Sequence, residues 1–119
     1  MPRDTFEGQL TDLKNQLLQL GLDAGRTIGE GVEALKTRDR TLAQAIIAHD
    51  SDINRVRYDI EEKCYELIAT QQPLASDLRE IISILLIAIE LERIADHSKN
   101  LAEIGAVYLV DYQEKWSFF

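Results

Sequence analysis

The stretch IISILLIAIELERIADHSKNLA, residues 81–102, decides the fold. Its first half is apolar on every side, as in a helix that contributes to a buried core. In its second half, residues placed about 100° apart around a helix separate into two faces. One face is apolar, and the other carries Glu92, Asp96 and Glu103 together with Lys99. The pattern predicts one helix that begins as core and ends with a row of carboxylates on its outer side.

Two further segments carry apolar residues in steps of three and four, the spacing of helices that pack in a bundle. They predict helices over about residues 4–35 and 40–69, and the segment described above extends to a third helix over about 74–112. Only short turns separate them, and short turns make sequential helices antiparallel neighbours. The sequence therefore predicts an all-α protein, an antiparallel three-helix bundle that occupies residues 1–119 as a single domain.

Polar residues and a proline at the turns predict the helix ends. Asp39 or Thr41 is the expected N-cap of the second helix. Pro73 ends that helix, because it lacks an N–H group and restricts the residue before it. For the third helix, either Pro73 takes the first position or Ser76 caps the N-terminus.

Glycines inside the first helix are unexpected, because each costs about 1 kcal/mol relative to alanine. Gly21, Gly25 and Gly29 are spaced four apart and share one face, and Gly31 follows. One interpretation is that another helix approaches closely there, and the other is a hinge or kink. We expect close packing.

Composition excludes several classes of partner. The net charge of −8 disfavours nucleic acid and anionic membrane surfaces, which need clustered Lys and Arg. The single cysteine, Cys64, lies in an apolar helical row, so we interpret it as a small buried residue of a protein from a reducing cytosol. The N-terminal residues contain no signal-peptide apolar region, and the run 81–91 is too short to span a bilayer.

A second polar row lies on the second helix, at Asp50, Asn54, Arg57 and Glu61. If the turn is centred near residue 72, Asp50 lies at the level of Ile94, so the two polar rows meet near the middle of the bundle. Carboxylates four residues apart repel one another unless a proton or a cation lies between them.

Two interpretations of these rows remain. Grouped hard oxygen ligands suit magnesium, calcium, manganese or iron. The alternative is a solvated acidic face with Lys99 and Arg57 as ion-pair partners, which on pattern alone is the more common outcome.

Features of the usual enzyme sites are missing from the sequence. A di-iron bundle needs Glu-x-x-His pairs on two helices, and the chain has none; its only histidines are His49 and His97. His49 lies in an apolar row and is interpreted as a core histidine with a satisfied partner. No phosphate-binding glycine loop or nucleophile elbow is present. We therefore expect a protein that is not an enzyme.

Two segments of the sequence carry a family resemblance. IELERIADHSKNLAEI, residues 89–104, resembles the signature of the PhoU family, regulators of bacterial phosphate uptake. DSDINRVRYDIEEKCYELIATQQPLASDLREI, residues 50–81, resembles that family's second helix and the Gln-Gln-Pro turn after it. The resemblance covers roughly residues 5–110.

The resemblance implies a fold of three-helix bundles in tandem, each with Glu/Asp-x-x-x-Asp motifs that can hold iron or divalent cations. Glu92 and Asp96 match one motif, and Asp50 and Asn54 match the other, with an amide in the last place. It also implies partners, the ATPase of the phosphate-specific ABC transporter and the phosphate-sensing histidine kinase. Family members damp uptake and the starvation response in the cytoplasm when phosphate is ample.

This chain carries one repeat where the family usually has two. It is either a fragment of a longer product or a genuine single-repeat protein. The alternative function is accordingly a structural or dimerising helical bundle, a degenerate half-gene product without signalling activity.

A single repeat also leaves the surface that a second repeat would cover. The apolar third helix has more apolar surface than two neighbours can bury, and the C-terminal tail adds aromatic residues. We therefore expect a homodimer whose interface includes Ile84, Ile87, Trp116, Phe118 and Phe119.

Overall fold

Three long helices make up the structure. The computed structural model describes the backbone of residues 2–109 and the side chains of residues 4–106. Helix α1 spans Pro2–Thr37, α2 spans Arg40–Gln71 and α3 spans Ala75–Glu103. A π-helical segment, Ile104–Leu109, continues α3. No strand occurs among the described residues, so the predicted all-α three-helix bundle is confirmed.

The turns follow the chemistry of their residues. At the start of α2, the side chain of Asp39 accepts a hydrogen bond from the backbone N–H of Leu42 at 3.0 Å, which confirms Asp39 as the N-cap. Gln72 ends α2 in the left-handed conformation. The N-cap position of α3 is Leu74, which provides no side-chain hydrogen bond, so Pro73 is not the first residue of α3 and Ser76 does not cap it.

The core runs along the axis of the bundle in two clusters. The larger cluster includes Leu13, Leu20, Ile53, Ile60 and Ile81, all at most 2% exposed. A smaller cluster closes the other end with the small residues Ala34, Ala43 and Ala102 around Ile46. Cys64 lies in the larger cluster, and burial raises the pKa of its thiol to about 11. The thiol is therefore protonated at neutral pH, which agrees with its interpretation as a buried apolar residue.

Close approach to α1 occurs at a different glycine from those predicted. Helix α1 is continuous through all four glycines, so there is no break of the helix at them. A Cβ atom on Gly25 or Gly29 would meet nothing within 4 Å in the described chain, and one on Gly21 would make only an ordinary contact with Leu91. The expected close packing is therefore wrong for that face. Gly31 is the close position, because its Cβ would lie 3.2 Å from the carbonyl oxygen of Ser98.

Helix α3 is buried on one side only. Ile81, Ile84 and Ala88 are buried, whereas Leu86 and Ile87 are about half exposed. Ile84, at 4% exposure, belongs to the core of the chain itself, so its assignment to a dimer interface is corrected. The predicted interface residues Trp116, Phe118 and Phe119 lie outside the described residues.

Candidate functional site

Polar side chains from α2 and α3 meet along one side of the bundle. The guanidinium of Arg57 on α2 donates hydrogen bonds to the carboxylate of Glu92 on α3 and to Glu61 one turn further along α2. Its side chain is only 16% exposed, so these ion pairs are shielded from water. Glu92, predicted from the sequence as a metal ligand, is thus already paired with an arginine of the same chain, which it shares with Glu61.

Asp50 is the most unusual residue of this site. It is 8% exposed, and its Oδ1 atom is buried and accepts no hydrogen bond from any described residue. Its Oδ2 atom lies 3.8 Å from the ammonium nitrogen of Lys99 and 3.5 Å from the amide nitrogen of Asn54. A buried carboxylate oxygen without a partner costs about 1–3 kcal/mol, and more when charged.

The surroundings of Asp50 raise the pKa of its carboxyl. Burial is the largest cause, and the negative charges of Asp96 and Glu92 add to it. Lys99 and the hydrogen bond from Asn54 act in the opposite direction without cancelling the effect. Asp50, Asn54, Glu92 and Asp96 therefore form one electrostatic neighbourhood, as the sequence predicted.

The observed register of the two polar rows differs from the predicted register. Asp50 lies beside Lys99, about one turn beyond the predicted partner level of Ile94. The turn between the helices comprises residues 72–74, which moves its centre towards α3, and the long side chain of Lys99 reaches along the axis. This shift in register places Lys99, and not Ile94, beside Asp50.

The side chains do not form a closed metal cage. In the part of the chain with described side chains, no three Asp, Glu, His or Cys residues converge as they would around a bound ion. A shallow surface depression nevertheless runs between the two helices. It is lined by Asn54, Arg57, Ile89, Glu92, Arg93 and Asp96.

Carboxylate and amide oxygens are ligands that suit a hard cation, and the Oδ1 atom of Asp50 has no partner among the described residues. However, Arg57 already pairs with Glu92, and Lys99 already lies near Asp50. The sequence pattern showed both cations but could not show which carboxylates they contact.

A second polar cluster, which the sequence did not reveal, joins α1 to α2. The Nε2 atom of His49 lies 2.8 Å from a carboxylate oxygen of Asp23, and its Nδ1 atom lies 3.4 Å from Asp52. Arg26 binds the other oxygen of Asp23 at 2.6 Å. His49 is thus satisfied, as expected, but it lies at the rim of the bundle, not in its core. Its partner lies on another helix, so helical spacing gives no signal for the contact.

Known proteins resemble this chain over most of its length. The family model described as "PhoU domain" matches residues 17–105. The chain belongs to the PhoU family. The phosphate-specific transport system accessory protein PhoU homolog of Clostridium acetobutylicum is 39% identical over 104 residues, which is 87% of this chain and 48% of that protein. PhoU homolog 1 of Thermotoga maritima is 38% identical over 98 residues, 82% of this chain and 42% of the relative.

Solved PhoU structures have the same fold. The crystal structure of PhoU from Pseudomonas aeruginosa superposes with a TM-score of 0.82 at 38% identity, over 85% of this chain and 48% of that one. The phosphate transport system regulatory protein PhoU from Streptococcus pneumoniae gives 0.79 at 35% identity, over 84% and 47%. The chain therefore spans about half the length of the PhoU proteins that it matches. No helix within residues 2–109 has the length and apolarity needed to cross a bilayer.

Proposed function

We propose that this chain is a regulatory accessory protein of a phosphate-specific transport system. The observation that carries the proposal is its identity of 39% over 104 residues to a relative named as such an accessory protein. In this function it is a cytoplasmic adaptor without catalytic activity, which contacts the ATPase of the phosphate ABC transporter and the phosphate-sensing histidine kinase. It acts as a negative regulator of uptake and of the starvation response.

A genetic experiment tests this function. Deletion of the gene is expected to raise expression of phosphate-starvation genes in phosphate-replete cells, and the 119-residue chain supplied on a plasmid is expected to restore repression. Binding of the purified chain to the transporter ATPase and to the kinase is then measured directly. Unchanged expression after deletion together with no binding to either protein would contradict the proposal and leave a structural helical bundle as the function.

The α2–α3 site supports a further proposal, that a divalent or iron cation binds there. Asp50 and Asp96 would supply the principal oxygen ligands, and Glu92 and Asn54 the remaining ones. The support is the buried Oδ1 of Asp50, which lacks a partner among the described residues. Such a cation would give this oxygen a neutralising partner, and carboxylate and amide oxygens are ligands that hard cations prefer.

The positively charged side chains of Arg57 and Lys99 limit how tightly such an ion binds. Lys99 lies 3.8 Å from Asp50, and two unit positive charges about 4 Å apart repel one another by about 1–4 kcal/mol, depending on exposure to water, with about twice that for a divalent ion. Removing the charge of Lys99 should therefore strengthen binding of the cation. If the substitution only disturbed the packing of the helices, binding would not become stronger.

Manganese titration by calorimetry tests the cation site. We expect Lys99→Met to bind Mn²⁺ at least several-fold more tightly than the wild type, and Asp50→Asn with Asp96→Asn to lose binding. Glu90→Gln is the matched control, because Glu90 is an exposed carboxylate of the same helix that pairs with Arg93. Equal manganese affinity in all four proteins would refute the assignment, and it would leave the accessory function untouched.

A further inference from the structure

Arg57 connects α2 to α3 and also rests on its own helix. Its Nε atom donates a hydrogen bond to Glu92 on α3, and its Nη1 atom donates one to Glu61, one turn along α2. The carbon of the guanidinium lies 4.1 Å from the centroid of the Tyr58 ring, which is within the range of a cation–π contact. Two contacts on α2 therefore fix the plane of the guanidinium, and the third contact reaches across to α3.

The contacts on α2 do not involve the ligands assigned to the cation. The Oε1 atom of Glu61 accepts a hydrogen bond from the hydroxyl of Tyr65 at 2.8 Å, and its Oε2 atom accepts the one from Arg57, so both oxygens of Glu61 have a partner. Tyr58 and Tyr65 are 55% and 49% exposed, so neither ring fills the core. The two tyrosines instead support the position of Arg57, Tyr58 directly and Tyr65 through Glu61.

Glu92 has a single partner, in contrast to Glu61. Among the described side chains, only Arg57 forms an ion pair or a hydrogen bond with Glu92. A guanidinium and a hard cation compete for the same carboxylate, because both bind its oxygen atoms and neutralise its charge. If a cation takes Glu92, Arg57 loses its contact with α3 and keeps its two contacts on α2.

We propose that Arg57 is a latch on the α2–α3 cation site: without a cation it binds Glu92, and a bound cation takes Glu92 from it. The guanidinium then remains on Glu61 and Tyr58, outside the set of ligands. This inference rests on the cation site proposed above and adds how the chain itself controls that site. Arg57 links α2 to α3 when no cation is bound, and the cation links them when it is bound.

Tyr58 is the positioning residue of the latch. A long side chain loses rotamer entropy when it is fixed on a carboxylate, and this loss weakens the pair. The ring of Tyr58 already restricts the guanidinium, so Arg57 binds Glu92 with a smaller loss of entropy. The ring carries no charge and is not one of the assigned ligands, so it acts on the cation only through Arg57. Removing the ring should therefore weaken the latch and strengthen binding of the cation.

Manganese titration by calorimetry tests the latch. We expect Tyr58→Leu to bind Mn²⁺ about two- to fivefold more tightly than the wild type, which is the range that an exposed cation–π contact represents. Arg57→Met should also bind more tightly than the wild type. Combining Tyr58→Leu with Arg57→Met should bring no further gain, because the ring then has no guanidinium to position. Tyr58 is exposed, so the fold should tolerate its replacement, and retained helical circular dichroism checks this.

Two further measurements separate the latch from a general effect of charge. Arg93→Met is the matched control, since Arg93 lines the same depression but pairs with Glu90 on its own helix. It should strengthen manganese binding less than Arg57→Met does. In NMR spectra of the wild type with diamagnetic Mg²⁺, the Nε–H proton of Arg57 should exchange with water faster once the ion is bound, because Glu92 no longer accepts its hydrogen bond.

The outcomes distinguish the latch from the cation site. If the wild type binds manganese but Tyr58→Leu binds it no more tightly, or if Tyr58→Leu brings the same gain without Arg57, the latch is overturned and the cation site stands. An equal gain in Arg93→Met would assign the effect to charge alone and would also overturn the latch. If no protein binds manganese, Arg57→Met included, both the latch and the cation site are overturned, and the accessory function is unaffected.

Discussion

The two exposed sides of α3 differ in where their side chains find partners. Towards α2, the carboxylate of Glu92 is bound by Arg57, and Asp50 lies near Lys99, so both carboxylates have a cation of the same chain beside them. Towards α1, Ile87 and Ile94 remain exposed, and so do Leu18, Leu22 and Val32 of α1. A polar row can satisfy itself with long charged side chains, because they bend towards each other. An exposed apolar side chain has no comparable way of finding a partner within its own chain.

The largest expected effect comes from removing the arginine that pairs with two carboxylates on the α2 side. Arg57→Met leaves the half-buried carboxylates of Glu92 and Glu61 without a cation. We expect the free energy of unfolding to fall by about 2 kcal/mol, since hydrogen bonds to charged groups contribute about that much. Urea unfolding at fixed protein concentration measures the change.

The control for that variant is Arg93→Met. Arg93 pairs with Glu90 on the same helix, but both side chains are more than half exposed. Exposed ion pairs contribute less than about 1 kcal/mol, so this substitution should change stability little. Equal losses in both variants would show that the charges near Asp50 are no more tightly coupled than an ordinary surface pair.

A second comparison concerns two glycines of α1. Gly29→Ala should raise the free energy of unfolding by about 0.5–1 kcal/mol, because alanine is the better helix former and the position is open. Gly31→Ala should lower it by about 1 kcal/mol, since the new Cβ would press on the backbone oxygen of Ser98. Thermal unfolding of both variants checks the opposite signs, and a shift in the same direction for both would contradict the assignment of the close contact.

The smallest effect is a pH dependence at Asp50. Its pKa is raised in the folded protein by burial, so its ionisation costs stability at neutral pH, and the cost disappears as the pH falls. Asp50→Asn should therefore be more stable than the wild type at pH 7 by less than about 1 kcal/mol. The difference should shrink as the pH drops through the raised pKa and vanish below the unfolded value of 3.8. A difference that does not change with pH would show that ionisation is not its cause.

Sequence patterns predicted the parts of this molecule that depend on neighbours along the chain. Asp39 caps α2 because its side chain reaches an N–H group three residues away, and Pro73 closes α2 through its own ring. The alignment of α2 and α3 about their turn also predicted that Asp50 and Glu92 lie in one neighbourhood. These features need only local geometry and an approximate alignment of two antiparallel helices.

The sequence did not predict those contacts between helices that depend on the rotation of each helix about its axis and on the reach of its side chains. Spacing showed that Gly21, Gly25 and Gly29 share a face, but not that this face is directed mostly to solvent and that Gly31 meets Ser98. In the same way, Arg57 was visible as a cation, whereas its choice of Glu92 depends on the rotation of α3. A small error in helix register changes such contacts completely.

Because Cys64 is buried, its reaction with a thiol reagent measures how often the folded protein opens. The chain has a single cysteine, and its thiol on α2 faces the backbone carbonyl of Ile81 on α3. A thiol reagent can modify it only in molecules whose helices have separated, since a buried and protonated thiol does not react. The rate of labelling therefore reports how often the core around Cys64 opens, and it can be followed with any ligand added, without a substitution in the chain.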